Sequence, residues 1–412
     1  MFVRTTTAPE HRDWWIIGSV IALLAIGLQM VYSSSVVVAH SEFGDDTYFV
    51  IRHVCWLALG FVLTYITSRI DYHVWQKVSV LLMAFCLIAL VVVLIPTFGS
   101  TAYGAQRWLK LGPIPLGQPS ELAKIVLVLY MADWLSRKGD QIRHFTYGSL
   151  PFAIIVGLVA GLVMLQPDLG TTLVVIATAV TIFFIAGANL IHLALMAIPT
   201  AAIIGVLVAK VEWRADRVAA FLNPEADPLG KGWHTMQTLI ALGSGGVQGL
   251  GLGESRQKHY YVPNAHTDTI FAIIGEELGL IGTLVVVGLF GILAWRGLVI
   301  ASRSSDMFGR LLAVGMVSKI IWQALLNIAV ITNTVPYTGV PLPLISYGGS
   351  SLVVTMISIG VLYSVIRFRN VTPDASVDVR PTTAAMAPRP APNRISAGAR
   401  MRQYRARFQH AQ

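Results

Sequence analysis

Ten apolar runs of about 20 residues each, separated by polar breaks, dominate this 412-residue chain. They fall at about 14–33, 52–68, 74–94, 119–135, 148–165, 169–187, 189–208, 268–295, 310–331 and 349–366. At about 1.5 Å per residue, a helix of that length crosses a hydrocarbon core of about 30 Å. In lipid every backbone N–H and C=O must find its partner within the protein, which helices achieve and open strands do not. The runs also lack the short alternating segments of a membrane barrel. Only 12% of the residues are charged and 55% are hydrophobic, against about a quarter charged in soluble globular domains. The expectation is an all-α integral membrane protein with about ten transmembrane helices, and a soluble protein is excluded. The first run, Trp14 to Val31, follows Arg12 and is longer than the apolar core of a cleaved signal peptide, so it reads as a retained span. Cys55 and Cys86 both fall inside runs and show neither a disulfide framework nor metal-site spacing.

Orientation follows from Lys and Arg in the short loops. With the N-terminus inside, the cytoplasmic side receives Arg4, Arg12, Arg69, Lys77, Arg137, Lys138, Arg143, Arg296, Arg303 and Arg310. The outer side receives Arg52, Arg107, Lys110 and six more in the long loop 209–267, and long loops weigh less in this rule. Both termini are therefore expected in the cytoplasm. The organisation reads as a cytoplasmic segment 1–13, a membrane domain 14–369 and a basic tail 370–412. Residues 367–412 hold nine Arg and no Lys among many Pro and Ala, a composition of disordered chain. Attraction to anionic lipid head groups accounts for that charge better than nucleic-acid binding does. On this orientation 97–121, 209–268 and 332–351, with the short "QPDLGTT" at 166–172, make the outer face rich in Gly, Pro and polar residues. Function gathers on loops held by a rigid scaffold, so the outer face is where chemistry is expected. Gly157 with Gly161, and Gly275 with Gly279, are small-xxx-small pairs that predict close helix packing.

Several ionisable residues stand near that face. Asp268 opens the eighth run, where a carboxylate is equally a helix cap favoured by the dipole or a proton acceptor. His266 is a candidate partner, or a solvated loop His. Glu276 and Glu277 lie two turns deeper and cannot both share the Asp268 face; internal pairing is the expectation. Glu121 and Lys124 are three apart on one helix face, either an intrahelical ion pair or a Lys offered to an anionic ligand and held by Glu121. Arg107 sits beside Trp108, and Arg214 and Arg217 share a face if their segment is helical. A solvated basic face is the plain reading; four outer cations near lipid also suit an anionic, lipid-tailed substrate such as a diphosphate. No GxxxxGK[ST] loop is present, and "GSGGVQGLGLG" follows no strand, so no nucleotide site is expected. "TGVPLPLISYGGSS" at 338–351, with Ser346 and Tyr347, reads as a re-entrant turn. Lys319, Gln323 and Asn327 form a polar stripe that serves helix contacts or lines a cavity.

Six motifs, "GAQRWL", "QPSELAK", "QPDLGT", "NPEADPLGKGWHTMQTLIALGSGG", "GLGESRQKHYYVPNAHTDTIFAIIGEELG" and "TGVPLPLISYGGSS", run in an order that closely resembles the SEDS proteins (shape, elongation, division and sporulation). The resemblance covers about residues 12–369. "GESRQKHYYVP" looks like the division branch, FtsW, and its sporulation relative more than the elongation branch, RodA. Thr269 and Leu344 stand where the family pattern usually has Phe.

The resemblance implies a GT-C-like ten-helix fold and peptidoglycan glycan polymerisation from lipid II at the outer face of the bacterial cytoplasmic membrane, for septal wall synthesis in cell division. It maps the family's essential acid onto Asp268 as catalytic base. It maps the diphosphate-binding cations onto Arg107, Lys124 and Arg217, with Glu121 paired to Lys124. Glu276, Glu277, Arg214, His266, Ser346 and Tyr347 are supporting candidates. Mg2+ or Mn2+ near the diphosphate is a further candidate, with no metal ligand assigned and no nucleotide. Implied partners are lipid II, a class B penicillin-binding protein, other divisome proteins and membrane lipids, without nucleic acid. A lipid II flippase and a non-catalytic divisome scaffold are the alternative functions.

Overall fold

The structure, a computed structural model, describes residues 13–102, 105–111 and 114–368. Residues 1–12 and the basic tail expected at 370–412 lie outside the described residues. The chain runs through α1 (Trp14–Phe43), α2 (Tyr48–Arg69) and α3 (Tyr72–Val92), then a small sheet of β1 (Gly99–Ala102), β2 (Ala105–Leu111) and β3 (Ile114–Gly117). It continues through α4 (Pro119–Ser136), α5 (Leu150–Leu165), α6 (Leu169–Ile185) and α7 (Leu190–Ala209), the short helices α8 (Glu212–Leu222) and α9 (Trp233–Ser244), and finally α10 (Ile270–Ser302), α11 (Met307–Ile331) and α12 (Gly349–Arg367). The ten long helices coincide with the ten apolar runs, with ends displaced by up to about ten residues. Seven of the ten are long and apolar enough to cross a membrane on composition alone, one of them counted together with the turn before α5. The other three are α4, which carries Glu121, Lys124 and Asp133, the shorter α6, and α7, whose stretch Leu190–Ile203 is an apolar helix.

Local chemistry sets the helix ends. Pro119 starts α4, where its missing N–H would be unpaired in any case. Asp71, Asp168 and Asp306 cap α3, α6 and α11, each accepting from a backbone N–H two or three residues on. α1 stops at Gly44, whose φ of 67° closes the helix in the left-handed region.

α4 and α11 form the centre. α4 packs on α3, α6 and α11, and α11 on α4, α6, α10 and α12. Almost every α4 residue is buried, so protein rather than lipid surrounds its three charges, as membrane helices with ionisable groups require. α2 packs mainly along α12, and α1 along α10. The lipid-facing sides of α2 and α3 show Phe61, Val62, Leu81 and Ile88.

Three readings of the sequence change. The segment 97–121 holds a three-stranded antiparallel sheet in the order β1-β2-β3 ahead of α4. Gly157 and Gly161 face outward from α5, with nothing within 4 Å of where a Cβ would stand, so no helix packs there among the described residues. Gly275 does pack closely on a helix, as its spacing predicts, that helix being α9: a Cβ on Gly245 would lie 1.9 Å from the Gly275 carbonyl oxygen; Gly279 meets the loop after α9 instead, where its Cβ would lie 2.3 Å from the Gly249 nitrogen.

The re-entrant reading of 338–351 agrees with the structure. Val340, Leu342, Leu344 and Ile345 are buried in non-helical backbone. α1 runs directly against that backbone at Gly27, where a Cβ would come 2.7 Å from the Leu344 carbonyl oxygen. Irregular backbone at this depth is tolerated because protein encloses it.

Candidate active site

The segments that follow α3, α5, α7, α9 and α11 meet at one end of the bundle and enclose a cavity of about 840 Å³. Its polar walls carry Arg107, Glu121, Asp168, Arg217, His234 and Asp268. α2 and α12 supply an apolar arm of Trp56, Leu59, Val353 and Val354.

Asp268 is 9% exposed and does not cap α10, which begins after Thr269 without a side-chain cap bond. Its Oδ1 accepts from the Thr267 hydroxyl at 2.9 Å, and its Oδ2 accepts from the Tyr337 hydroxyl. Asn327, from α11, donates to the Asp268 carbonyl at 2.6 Å and to the Val340 carbonyl at 2.8 Å, which ties α10, α11 and the re-entrant segment together behind the carboxylate. The capping role that the sequence offered for Asp268 is thus replaced by a carboxylate turned into the cavity.

The cations divide. Arg107, on β2, lines the cavity and donates from Nε to the Gln166 carbonyl at 3.2 Å and also to the Pro167 carbonyl, so the "QPDLG" turn holds the guanidinium in place. Arg217, on α8, lines the cavity with its guanidinium 5.0 Å from the centre of the Tyr337 ring, and donates to the Tyr337 carbonyl at 3.3 Å. Arg214 shares that helix but turns to the Met164 carbonyl at 3.3 Å behind the cavity wall. Burial and then the like charge of Arg107 lower the Arg214 pKa. Burial is also the main cause lowering that of Arg217, opposed in part by Tyr337 and Asp268. The guanidinium groups of Arg107 and Arg217, both at the cavity wall, have the charge and fork geometry that suit a multiply charged anion.

Lys124 does not join them. It is 2% exposed, and its Nζ donates to Glu121 Oε1 at 2.8 Å and to Gln323 Oε1 at 2.7 Å. Glu121, not Lys124, reaches the cavity wall. Lys124 therefore acts as a buried counter-charge, because an uncompensated Glu121 would be strongly disfavoured there. Gln323 passes the network on to the Pro341 carbonyl at 2.9 Å and the Ser351 hydroxyl at 3.2 Å. Lys319 donates to Ser358 at 3.1 Å. The polar stripe of α11 thus joins helices and does not line the cavity.

Glu276 and Glu277 are paired internally, as expected. Glu276 accepts from the Ser255 hydroxyl at 2.5 Å and the Arg256 N–H at 2.9 Å; Glu277 accepts from Ser33 at 2.6 Å and Lys258 at 3.3 Å. Both hold the loop 250–258 and neither lines the cavity. Ser346 likewise serves the backbone, accepting from the Leu342 N–H at 2.8 Å. Tyr347 lines the cavity, and its N–H donates to the His266 carbonyl at 2.9 Å. His266 is no solvated loop residue. Its ring lies 4.5 Å from Phe49 and 5.6 Å from Tyr347, and burial pushes its pKa down to about 4.

Sequence reasoning missed Tyr337 and His234. The His234 ring lies 4.1 Å from Tyr337, and burial lowers its pKa against the opposing pull of Asp268. Nothing in "WHTMQ" or "VPYTG" marks either residue as a neighbour of Asp268; only the tertiary fold brings them there.

Among the described residues no three His, Cys, Asp or Glu side chains gather as a metal site. Asp168 is occupied with capping α6 and with Gln118, and Glu121 with Lys124. The donor set does not fit a protein-built cage for Mg2+ or Mn2+.

Comparison with known proteins agrees with the fold and the motifs. Residues 13–371 match the FtsW/RodA/SpoVE family, described as cell cycle proteins. A probable peptidoglycan glycosyltransferase FtsW of Trichlorobacter lovleyi is 42% identical over 84% of this chain and 91% of its own length. The stage V sporulation protein E of Bacillus subtilis is 40% identical over 88% of this chain and 99% of its own. Among solved structures, a chain from a peptidoglycan synthase complex that coordinates polymerisation and crosslinking superposes with a TM-score of 0.72 at 28% identity, covering 87% of this chain and 99% of that one. The rod shape determining protein RodA of Thermus thermophilus superposes with a TM-score of 0.64 at 27% identity, covering 87% and 98%. With nearly its whole membrane domain matched in sequence and in structure, this chain belongs to the FtsW/RodA/SpoVE family of membrane proteins, the SEDS proteins.

Proposed function

We propose that this protein is a peptidoglycan glycosyltransferase that polymerises lipid II into β-1,4 glycan strands, with Asp268 as general base. The observation that carries the proposal is a single cavity holding one carboxylate, the guanidinium groups of Arg107 and Arg217, and an apolar arm along α2 and α12. A substrate with sugars, a diphosphate and a prenyl tail matches those three parts in turn.

Asp268 takes the proton from the 4-hydroxyl of the acceptor GlcNAc. The freed oxygen pair forms the new bond to the anomeric carbon of the donor MurNAc. The bond from that carbon to the prenyl diphosphate breaks, and the diphosphate leaves with the electron pair. One displacement turns an α-linked donor into a β link. Arg107 and Arg217 neutralise charge that grows on the leaving diphosphate, where preorganised donors count most. Lys124 acts one layer back, by keeping Glu121 and Gln323 in place. The diphosphate supplies the driving force, consistent with a sequence that carries no nucleotide motif. No step is routed through a metal ion.

We further propose that the protein works in the bacterial cytoplasmic membrane at the division septum, beside a class B penicillin-binding protein and other divisome proteins. The resemblance of "GESRQKHYYVP" to the division branch supports this, as does the pairing of polymerisation with crosslinking in the peptidoglycan synthase complex to which the structural relative belongs. The test of catalysis is purified protein in detergent with labelled lipid II, with and without the partner. Asp268→Asn is expected to abolish glycan chains while expression and melting temperature hold. Undiminished polymer from a folded Asp268→Asn protein would end the base assignment. Detergent also removes the two compartments that a flippase needs, so polymer formed there is not a by-product of flipping.

A further inference from the structure

Tyr337 joins the two halves of the cavity through one side chain. Its hydroxyl donates to Asp268 Oδ2, its ring lies under the Arg217 guanidinium at 5.0 Å, and its carbonyl accepts from Arg217 at 3.3 Å. The His234 ring closes on the Tyr337 ring at 4.1 Å. Next along the chain, Gly339 has a φ of 73°, and a Cβ there would lie 3.4 Å from Asp268 Oδ2. The segment therefore turns tightly around the carboxylate, in a conformation that glycine adopts most readily.

We infer that Tyr337 is a positioning residue for Asp268, setting both the direction of its carboxylate and its affinity for the acceptor proton. Each carboxylate oxygen carries two lone pairs. Tyr337 takes one on Oδ2 and Thr267 takes one on Oδ1. The remaining lone pairs are directed towards the cavity by that pairing. A hydrogen bond to the charged form of a carboxylate favours that form, so removing the Tyr337 donor would weaken the charged form relative to the protonated one. Because Arg217 holds the Tyr337 ring and carbonyl, anion binding at Arg217 and proton transfer at Asp268 share one element. The inference rests on Asp268 being the general base.

The groups that face Asp268 are Tyr337 from the re-entrant segment, Arg217 from α8, His234 from α9 and His266 from its own loop, with Arg107 of β2 acting on Tyr337. Burial lowers the pKa of both histidines, that of His266 to about 4.

The experiment is the pH dependence of lipid II polymerisation by the full-length protein. Tyr337→Phe removes one donor, and the acid limb of kcat/KM is expected to move up by about one pH unit, a tenfold gain in proton affinity. A second variant carries trifluorotyrosine at 337. It keeps the shape and strengthens the donor, so the limb is expected to move down. A purely structural Tyr337 would lower activity at every pH without moving the limb. An unmoved limb in both variants, or shifts in the same direction, would overturn the inference. Should Tyr337→Phe fail to fold, the fluorinated variant decides alone by whether its limb moves down. The two levels separate cleanly: an active Asp268→Asn protein removes the base reading itself, whereas an inactive one with unmoved limbs removes only the role of Tyr337.

Discussion

His266 shows how a single residue can tie this site to pH. Burial against Phe49 and Tyr347 depresses its folded-state pKa from the ordinary 6.5 to about 4. Between those values the unfolded chain binds a proton that the folded chain refuses. Stability is therefore full above about 6.5 and falls as pH drops towards 4. His266→Gln, which cannot titrate, is expected to flatten the fall of melting temperature over that window; an equally steep fall would place the titrating group elsewhere. Asp268, Arg107, Arg217 and Glu121, which line the cavity, could be singled out in the sequence because each stands in a motif shared with the family. Tyr337 and His234 could not, because an aromatic and a neutral His in a polar loop look the same whether they touch solvent or a carboxylate 69 or 34 residues away. For Lys124 the spacing left two readings open, and the structure shows the ion pair with Glu121, which itself takes the cavity wall.

At the scale of elements, α10 is built from two helical pieces joined at Gly279, whose φ of 65° and ψ of −162° belong to a region open essentially to glycine alone. The break lets loop backbone pair with the helix. Leu250 and Gly251 donate to the carbonyls of Glu276 and Glu277, and Leu280 and Ile281 donate to those of Gly246 and Val247. Glu276 and Glu277 then clamp the loop 250–258 with their side chains, and this fixes the approach to Asp268 from the loop side. Gly279→Ala should cost about 3 kcal/mol, from backbone strain together with the clash at Gly249. Gly157→Ala, on an open helix face, should be neutral or stabilise by up to about 1 kcal/mol. Thermal melting in detergent compares the two, and equal melting temperatures would contradict the account of the break. Hydropathy revealed the long helices because lipid imposes their length. It could not separate glycines that meet a neighbour from glycines that meet lipid, and it was silent on the sheet at 99–117 and on α9, which are too short for a periodic signal.

The whole molecule solves a solvent problem: the reacting groups of an amphiphile must meet where its tail remains in lipid. The cavity has polar walls on the side of the loops and an apolar arm where Trp56 and Leu59, 40% and 42% exposed on α2, look outward. α12 closes against α2 there so tightly that a Cβ on Gly349 would lie 2.5 Å from the Trp56 ring. On the proposed function, such an arm is the path by which a prenyl chain enters sideways from the bilayer, so that the tail never crosses water and its burial adds to binding. Leu59→Trp should narrow that mouth. For lipid II with its full prenyl chain, kcat/KM is expected to fall by about tenfold, the scale of a misfit in an apolar pocket. An analogue with a short prenyl chain should lose much less. Leu158→Trp, on the outward face of α5, should change neither, since Leu158 is exposed and lies outside the cavity lining. If Leu59→Trp weakened both substrates equally, the arm would not be the tail's path. The carboxylate and guanidinium groups would then have to be reached by another route through the bundle.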